Sequence, residues 1–467
     1  MNGYLILIAS VILLCIICNK ISNKIGLPML FVFLMIGMLF GSDGIVHIPF
    51  DNYVFTENIC SIALLVIMFY GGFGTKWNMA RPIMGRAILL STFGVVLTAA
   101  MVGGFCHFVL QMGIKESFLI GALISSTDAA SVFSILRSKR LNLKYRTASI
   151  LEVESGSNDP FAYMMTIILI SLMKGNNFQI NTLFTLLVSQ IFLGILFGTL
   201  FSIIAFLGLK KFVFSTEGFD TIFVLGIVLL AYAIPTKLNG NGYLSVYLLG
   251  IILGNLKLPQ KKEMVHFFDG ITGLMQMMLF FLLGLLSFPS RLFEVIGFAF
   301  TIAAFLMIIA RPLMVFLLLA PFRAPIQQKI FISWAGLRGA ASIVFAIMTV
   351  NAGVDASYDL FHIVFFIVLF SILLQGTFLP AIARRLDMID DGEDVLKTFN
   401  DYVEEVPVSC IQFILNEEHP WCQKKVKEIA LPPETLFVQL ERKDEELIIP
   451  NGDTILQADD IVTLKVR

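Results

Sequence analysis

Two carboxylates, Glu154 and Asp159, stand in the run Glu154-Ser155-Gly156-Ser157-Asn158-Asp159-Pro160, with oily sequence on both sides of it. An acid at membrane depth costs about 3 kcal/mol unless it is paired or faces water, and such acids mark ion pathways. On a helix, Ser155 and Asp159 are four apart and share one face, while Glu154 and Asn158 share the neighbouring one. Pro160 lacks an N–H and crowds the carbonyl of Gly156, so the helix is expected to be distorted where its acids lie. A structural alternative is a kinked helix whose acids are neutralised by neighbours.

Asp128 follows Ser125-Ser126-Thr127 in a second apolar stretch. Three hydroxyls and an acid make a poor lipid-facing helix and predict an interruption, where freed carbonyls and helix ends can meet an ion. A helix cap at a chain turn is the plainer reading of Asp128. Gly336-Leu337-Arg338-Gly339 predicts a matching interruption in a third stretch. Arg338 keeps its proton and needs an anion, and Glu154 is the expected partner. That leaves Asp159 free to exchange ligands. Removing a carboxylate from water favours its neutral form, so Asp159 holds one proton or one alkali cation, but not both. Ser155, Thr127 and Asp128 offer the oxygens that a hard cation wants. Asn158 is neutral and adds no second exchangeable charge.

The elements that carry these residues are membrane spans. Of 467 residues, 57% are hydrophobic and 14% charged, against about 25% charged in soluble domains. A span needs roughly 20 residues. Thirteen apolar segments are expected, near 3–19, 28–41, 54–71, 85–110, 116–137, 147–173, 183–209, 218–235, 241–256, 263–287, 291–320, 325–350 and 359–383. The first lacks a basic stretch before it and a cleavage site after it, so it reads as a span and not as a signal peptide. Alternate connecting loops hold 19 and 4 basic residues. Excess Lys and Arg mark the cytoplasmic side, which puts the N-terminus outside and the C-terminus in the cytoplasm. The fold class expected is an all-α polytopic membrane protein of about thirteen helices with inverted repeats and two broken crossing helices, followed by a small α+β cytoplasmic domain.

Residues 1–385 carry a net charge of +10 and residues 386–467 one of −11. The division expected is a transmembrane exchanger domain over 1–385, an acidic linker over 386–405 and a soluble module over 406–467. In that module 408–414, 435–440 and 461–466 read as strands, 424–429 as a short helix and Asn451-Gly452-Asp453 as a turn. So small a module is expected to pair with a second copy of itself. Cys410 and Cys422 read as free thiols in a reducing cytoplasm.

Thr127-Asp128-Ala129-Ala130, the Glu154–Pro160 run and Gly336-Leu337-Arg338-Gly339 together resemble the monovalent cation:proton antiporter family, NhaP branch, over nearly the whole membrane domain. Ile448-Ile449-Pro450-Asn451-Gly452-Asp453-Thr454 and Ala458-Asp459-Asp460 resemble a TrkA-C (RCK C-terminal) domain, a combination similar to bacterial potassium/proton antiporters. The resemblance implies a homodimer in the bacterial inner membrane with a moving core domain, and no enzymatic activity. It implies a cation and proton site at Asp159, completed by Ser155, Asp128 and the backbone of Thr127. Asn158 beside Asp159 marks electroneutral exchange, and Glu154 with Arg338 forms a structural ion pair. Where the family often carries an acid before the third-helix Gly-Gly, this chain has Tyr70 before Gly71-Gly72, which removes a ligand or gate carboxylate. Related tails bind nucleotides such as cyclic di-AMP. That ligand at a tail interface is one expectation, and a tail that only stabilises the dimer is the other. No Gly-rich half for NAD appears, and nucleic acid is not an expected partner.

Sodium/proton exchange is the nearest rival, since these oxygen ligands suit both ions. A potassium channel lacks its carbonyl-filter signature, a membrane aspartyl protease lacks its Gly-x-Gly-Asp motif, and a transporter-like sensor remains a third class. His47, His107, His266, His362 and His419 show no metal spacing. His266 with Asp269 is a candidate pH-sensing pair. Met275, Met277 and Met278 read as helix packing, and Glu152 as facing the cytoplasmic vestibule. Arg311-Pro312 is expected to end or kink a helix near the cytoplasmic face, with a buried ion pair as the alternative.

Overall fold

Backbone in hydrocarbon must satisfy its own hydrogen bonds, so apolar runs of this length become helices. A computed structural model describes residues 9–18, 20, 28–139, 141–175, 180–211, 218–258, 260–390, 409–416, 419–429, 431, 435–442 and 447–466. The chain divides into two compact units, Met1–Phe399 and Asn400–Arg467.

The first unit is helical. Among its described residues seven helices are long and apolar enough to cross a membrane, including Tyr53–Gly74, Trp77–Phe108, Lys261–Leu286, Pro289–Phe322 and Leu360–Arg385. Four shorter apolar helices accompany them: Ala9–Cys18, Met29–Phe40, Gly242–Asn255 and Ala340–Asn351.

Two helical stretches are interrupted. Ile114–Leu123 ends, the chain runs non-helically to residue 128, and Ala129–Ser138 resumes the helix. Ile326–Trp334 and Ala340–Asn351 are parted in the same way over residues 335–339. These are the hydroxyl run ending in Asp128 and the two glycines around Arg338.

The acid-bearing helix behaves otherwise. Thr147–Lys174 is continuous through Pro160, so the distortion expected from that proline does not break it. Pro160 deletes one hydrogen bond among many in a 28-residue helix, and Asn241 Nδ2 holds the Pro160 carbonyl from the neighbouring helix at 2.8 Å. The helix expected to end or kink at Arg311-Pro312 also runs on. It widens into a π-turn over Leu306–Ala310, closed by the Arg311 N–H on the Leu306 carbonyl. Helices absorb an extra residue in this way, often where function needs a side chain re-aimed. Here the turn lies directly before Arg311, which is buried.

The stretch expected as an acidic linker begins inside this unit. Leu143 bridges Ile389, Lys144 Nζ meets Asp387 at 3.0 Å, and Met388 is buried. Residues 391–405 lie outside the described residues.

The second unit is a four-stranded antiparallel sheet, β1 Ser409–Ile414, β2 Thr435–Glu441, β3 Leu447–Ile448 and β4 Ile461–Val466, in the order β1-β4-β2-β3. The helix expected over 424–429 is a single 3-10 turn, Val426–Glu428. Its core gathers Leu415, Leu440, Leu456, Val462 and Leu464. Lys427 and Lys425 hold the exposed Asp453 carboxyl below its ordinary range. Asp460 is fully buried and meets Arg442 Nε at 2.9 Å.

Removing one partner of such a pair strands the other charge. Arg442→Ala is expected to cost about 3 kcal/mol. Hydrogen exchange on the full chain should then show faster exchange in Ile461–Val466 and unchanged exchange in the membrane helices.

Candidate functional site

Each interruption frees backbone groups that lipid cannot satisfy, and the two interruptions satisfy one another. Arg338 Nη1 donates to the carbonyls of Ser125 at 2.8 Å and Ser126 at 2.7 Å. Asp128 N–H donates to Leu337 O at 2.8 Å. Arg338 N–H donates to Ser371 Oγ at 3.0 Å, and that hydroxyl donates to Gln375 Oε1 at 2.6 Å. Two glycines permit this approach: a Cβ on Gly339 would overlap the Asp128 side chain, and one on Gly336 the Arg311 guanidinium.

The Thr147–Lys174 helix staples the first interruption from the side. Ser155 Oγ accepts the Ala129 N–H at 2.8 Å and donates to Thr127 O at 2.7 Å. It thereby satisfies one of the orphan amides that open a helix. Asn158 Nδ2 donates to Thr127 Oγ1 at 2.6 Å. Asp128 accepts from the hydroxyl of Ser131 and from its N–H, the latter at 3.3 Å.

A small cavity opens beside the staple, lined by Ser126, Thr127, Asp128, Asp159, Gln276 and Phe280 among others. The buried Oδ1 of Asp159 has no hydrogen-bond partner among the described residues. Buried carboxylate oxygens are rarely left in that state. A partly dehydrated cation or a proton supplies what such an oxygen lacks.

All five residues expected at the site lie around the first interruption. Asp128, Asp159 and Thr127 line the cavity, while the side chains of Ser155 and Asn158 are engaged in holding the interrupted chain. The expected pairing of Glu154 with Arg338 is corrected. Glu154 Oε1 meets Arg311 Nη1 at 2.6 Å, both side chains being almost fully buried. The π-turn delivers Arg311 to Glu154, and Arg338 is hydrogen-bonded to carbonyls instead. Gln276 was not foreseen as a cavity residue. Its signal was present, as the one amide inside the run Met275, Met277, Met278. Ser371 and Gln375, which hold the Arg338 backbone and one another, gave no signal beyond two polar residues in an apolar helix.

The sequence profile described as sodium/hydrogen exchanger, transmembrane, matches residues 8–385. The chain belongs to the sodium/hydrogen exchanger family. A TrkA-C domain profile matches residues 410–466. Among similar proteins, the K(+)/H(+) antiporter NhaP of Alkalimonas amylolytica is 34% identical over 99% of this chain and 81% of its own length. The K(+)/H(+) antiporter NhaP2 of Shewanella sp. (strain ANA-3) is 33% identical over 99% of this chain and 80% of its own. A probable Na(+)/H(+) antiporter 2 of Methanocaldococcus jannaschii is 29% identical over 71% and 81%. The exchanger fold is also that of the solved sodium proton antiporter MjNhaP1 from Methanocaldococcus jannaschii at pH 8, with a TM-score of 0.69 at 22% identity over 80% of this chain and 98% of that one.

Within this exchanger, Arg311→Ala leaves Glu154 buried and unpaired, at an expected cost of about 3–5 kcal/mol. The loss should appear as a lowered melting temperature of the detergent-solubilised protein. Replacing both partners together, Glu154→Gln with Arg311→Met, should recover most of it.

Proposed function

We propose that the protein is an electroneutral antiporter that exchanges one potassium ion for one proton by competition at Asp159, with alternating access to the two sides of the membrane. One observation carries this reading: a carboxylate with an unpartnered buried oxygen faces a cavity, beside Asp128 and at the junction of two interrupted helices. Proton and alkali cation are alternative occupants of that carboxylate, so unloading one admits the other. Asp128 adds a second acidic oxygen donor. Ser155, Thr127 and Asn158 fix the interruption, and their oxygens complete the shell as the cation enters. Glu154 and Arg311 hold the scaffold, and Arg338 locks the interruptions together.

Potassium is favoured because the two relatives named above that align over nearly the whole chain, tail included, carry potassium/proton antiporter names. Sodium is the second reading, supported by the name of the archaeal relative. The distribution of basic loops supports thirteen spans, an outside N-terminus and a cytoplasmic tail in the bacterial inner membrane. The like construction of the two interrupted stretches supports an inverted repeat. The small sheet unit fits a regulatory module that pairs with a second copy and takes a nucleotide such as cyclic di-AMP between copies, joined to the membrane unit through the acidic residues near 386–405.

Purified protein in vesicles with an imposed pH gradient is expected to collapse that gradient on addition of potassium chloride, more strongly than with sodium chloride and without net current. Asp159→Asn should reduce the rate to that of empty vesicles while leaving the melting temperature nearly unchanged. Normal exchange by Asp159→Asn removes the assignment.

A further inference from the structure

His362 is the third residue of the Leu360–Arg385 helix and is fully buried, among the rings of Phe288, Phe361 and Phe366. The exchange proposed above makes no use of it. Both of its ring nitrogens have partners: Nδ1 meets Asp359 Oδ2 at 2.7 Å, and Nε2 accepts the Phe288 N–H at 3.1 Å. An amide N–H only donates, so Nε2 is bare and the single ring proton sits on Nδ1. Asp359 accepts from every side. It caps the helix through the His362 N–H at 3.2 Å and takes Arg291 Nη1 at 2.8 Å. Ser290 gives its hydroxyl and its N–H, the latter at 3.0 Å, to Asp43 Oδ2. Those two bonds hold the Asp43 carboxyl below its ordinary range, so it stays charged near neutral pH. The charges of Arg291 and Asp43 reach this cluster, as does Tyr53 with Asp51 beside it, and Glu294 acts on Arg291.

These contacts tie together two helices that meet the Asp159 site from different sides. Phe288 follows Lys261–Leu286, which lines the cavity through Gln276 and Phe280. His362 opens Leu360–Arg385, whose Ser371 holds the Arg338 N–H. We propose that His362 is a second proton-binding site, separate from Asp159, through which acid on the outer side opens a clasp between these helices and speeds exchange. The proposal rests on the antiport reading for its effect and on the basic-loop pattern for its side. Histidine takes up a proton between about pH 5 and 8. A proton arriving past the part-exposed Asp359 carboxylate settles on Nε2, since Nδ1 already carries one. Nε2–H then faces the Phe288 N–H, donor against donor. That bond breaks, and the Phe288 amide must move to reach water, because an unmade hydrogen bond away from water is costly. Asp359 keeps the imidazolium in place. The clasp is therefore shut above the histidine range and open below it, and the outer ends of the two helices are then free to part.

Two measurements test this. Hydrogen exchange on the wild-type protein, corrected for the intrinsic effect of pH, is expected to show the Phe288 amide losing protection about fivefold between about pH 8 and about pH 6. His362→Gln keeps one donor and one acceptor but takes up no proton, so its Phe288 amide should stay protected throughout. Wild-type protection that persists at the lower pH, or that falls equally in the variant, overturns the clasp. In vesicles loaded with saturating potassium at fixed internal pH, the ratio of wild-type to His362→Gln rates should rise about fivefold as the outer pH falls over the same range. The ratio removes the driving force, which both proteins share. An unchanged ratio, or one that changes with internal pH instead, overturns the effect on exchange. The hydrogen-exchange readout needs no transport, so it stands apart from a failure of antiport itself, which wild-type vesicles would reveal.

Discussion

The hydrogen bonds from the Arg338 guanidinium to the carbonyls of Ser125 and Ser126 are the contact on which the membrane unit depends. Lipid offers no donor to a freed carbonyl, so an interrupted helix survives at membrane depth only if protein supplies one. Here the donor comes from the other interruption. The same junction is closed in the reverse direction by the Asp128 N–H on Leu337 O. Neither interruption is satisfied alone, and the two must form together. Once they do, the Thr147–Lys174 helix can fasten Ser155 and Asn158 to Thr127, and Asp159 is set against the opening that results.

Much of this was legible in the sequence for a physical reason. Hydroxyls next to an acid, and glycines around an arginine, are intolerable in a lipid-facing helix, so both interruptions could be placed to within a residue or two. The strands over 435–440 and 461–466 were legible through alternation and a turn signal, and the sheet follows them closely. What spacing cannot give is a choice between two distant partners. Glu154 needs a cation, and both Arg311 and Arg338 lie in apolar stretches far away in sequence. The choice was made by a π-turn at Leu306–Ala310 that no local pattern announces. Pro160 breaks nothing, for the opposite reason. It removes one bond from a long helix, and tertiary support from Asn241 holds the chain in line. Gln276 went unread because a single amide among methionines looks like filler until the facing helix is in place.

Buried ion pairs add little net stability but penalise their own disruption. Glu154 and Arg311 therefore act as a lock on packing more than as a source of affinity. They join the acid-bearing helix to the Pro289–Phe322 helix behind it. The Gln328 amide adds a second tie on the same side, donating to Thr147 Oγ1 and Tyr145 O at 3.1 Å each. Facing the cavity, by contrast, polar groups come from more than one helix, with Ser126, Thr127, Asp128 and Asp159 near the first interruption and Gln276 on the Lys261–Leu286 helix.

Arg338 gives its guanidinium to uncharged carbonyls, while Glu154 is paired with Arg311. Two arginines therefore share the buried interior with three acids, Glu154, Asp128 and Asp159. In the proposed exchange, with all five ionised, the count is one unit negative, and a guest of single valence brings it to zero. A calcium or magnesium ion would leave that count one unit positive, and an uncompensated charge away from water is costly.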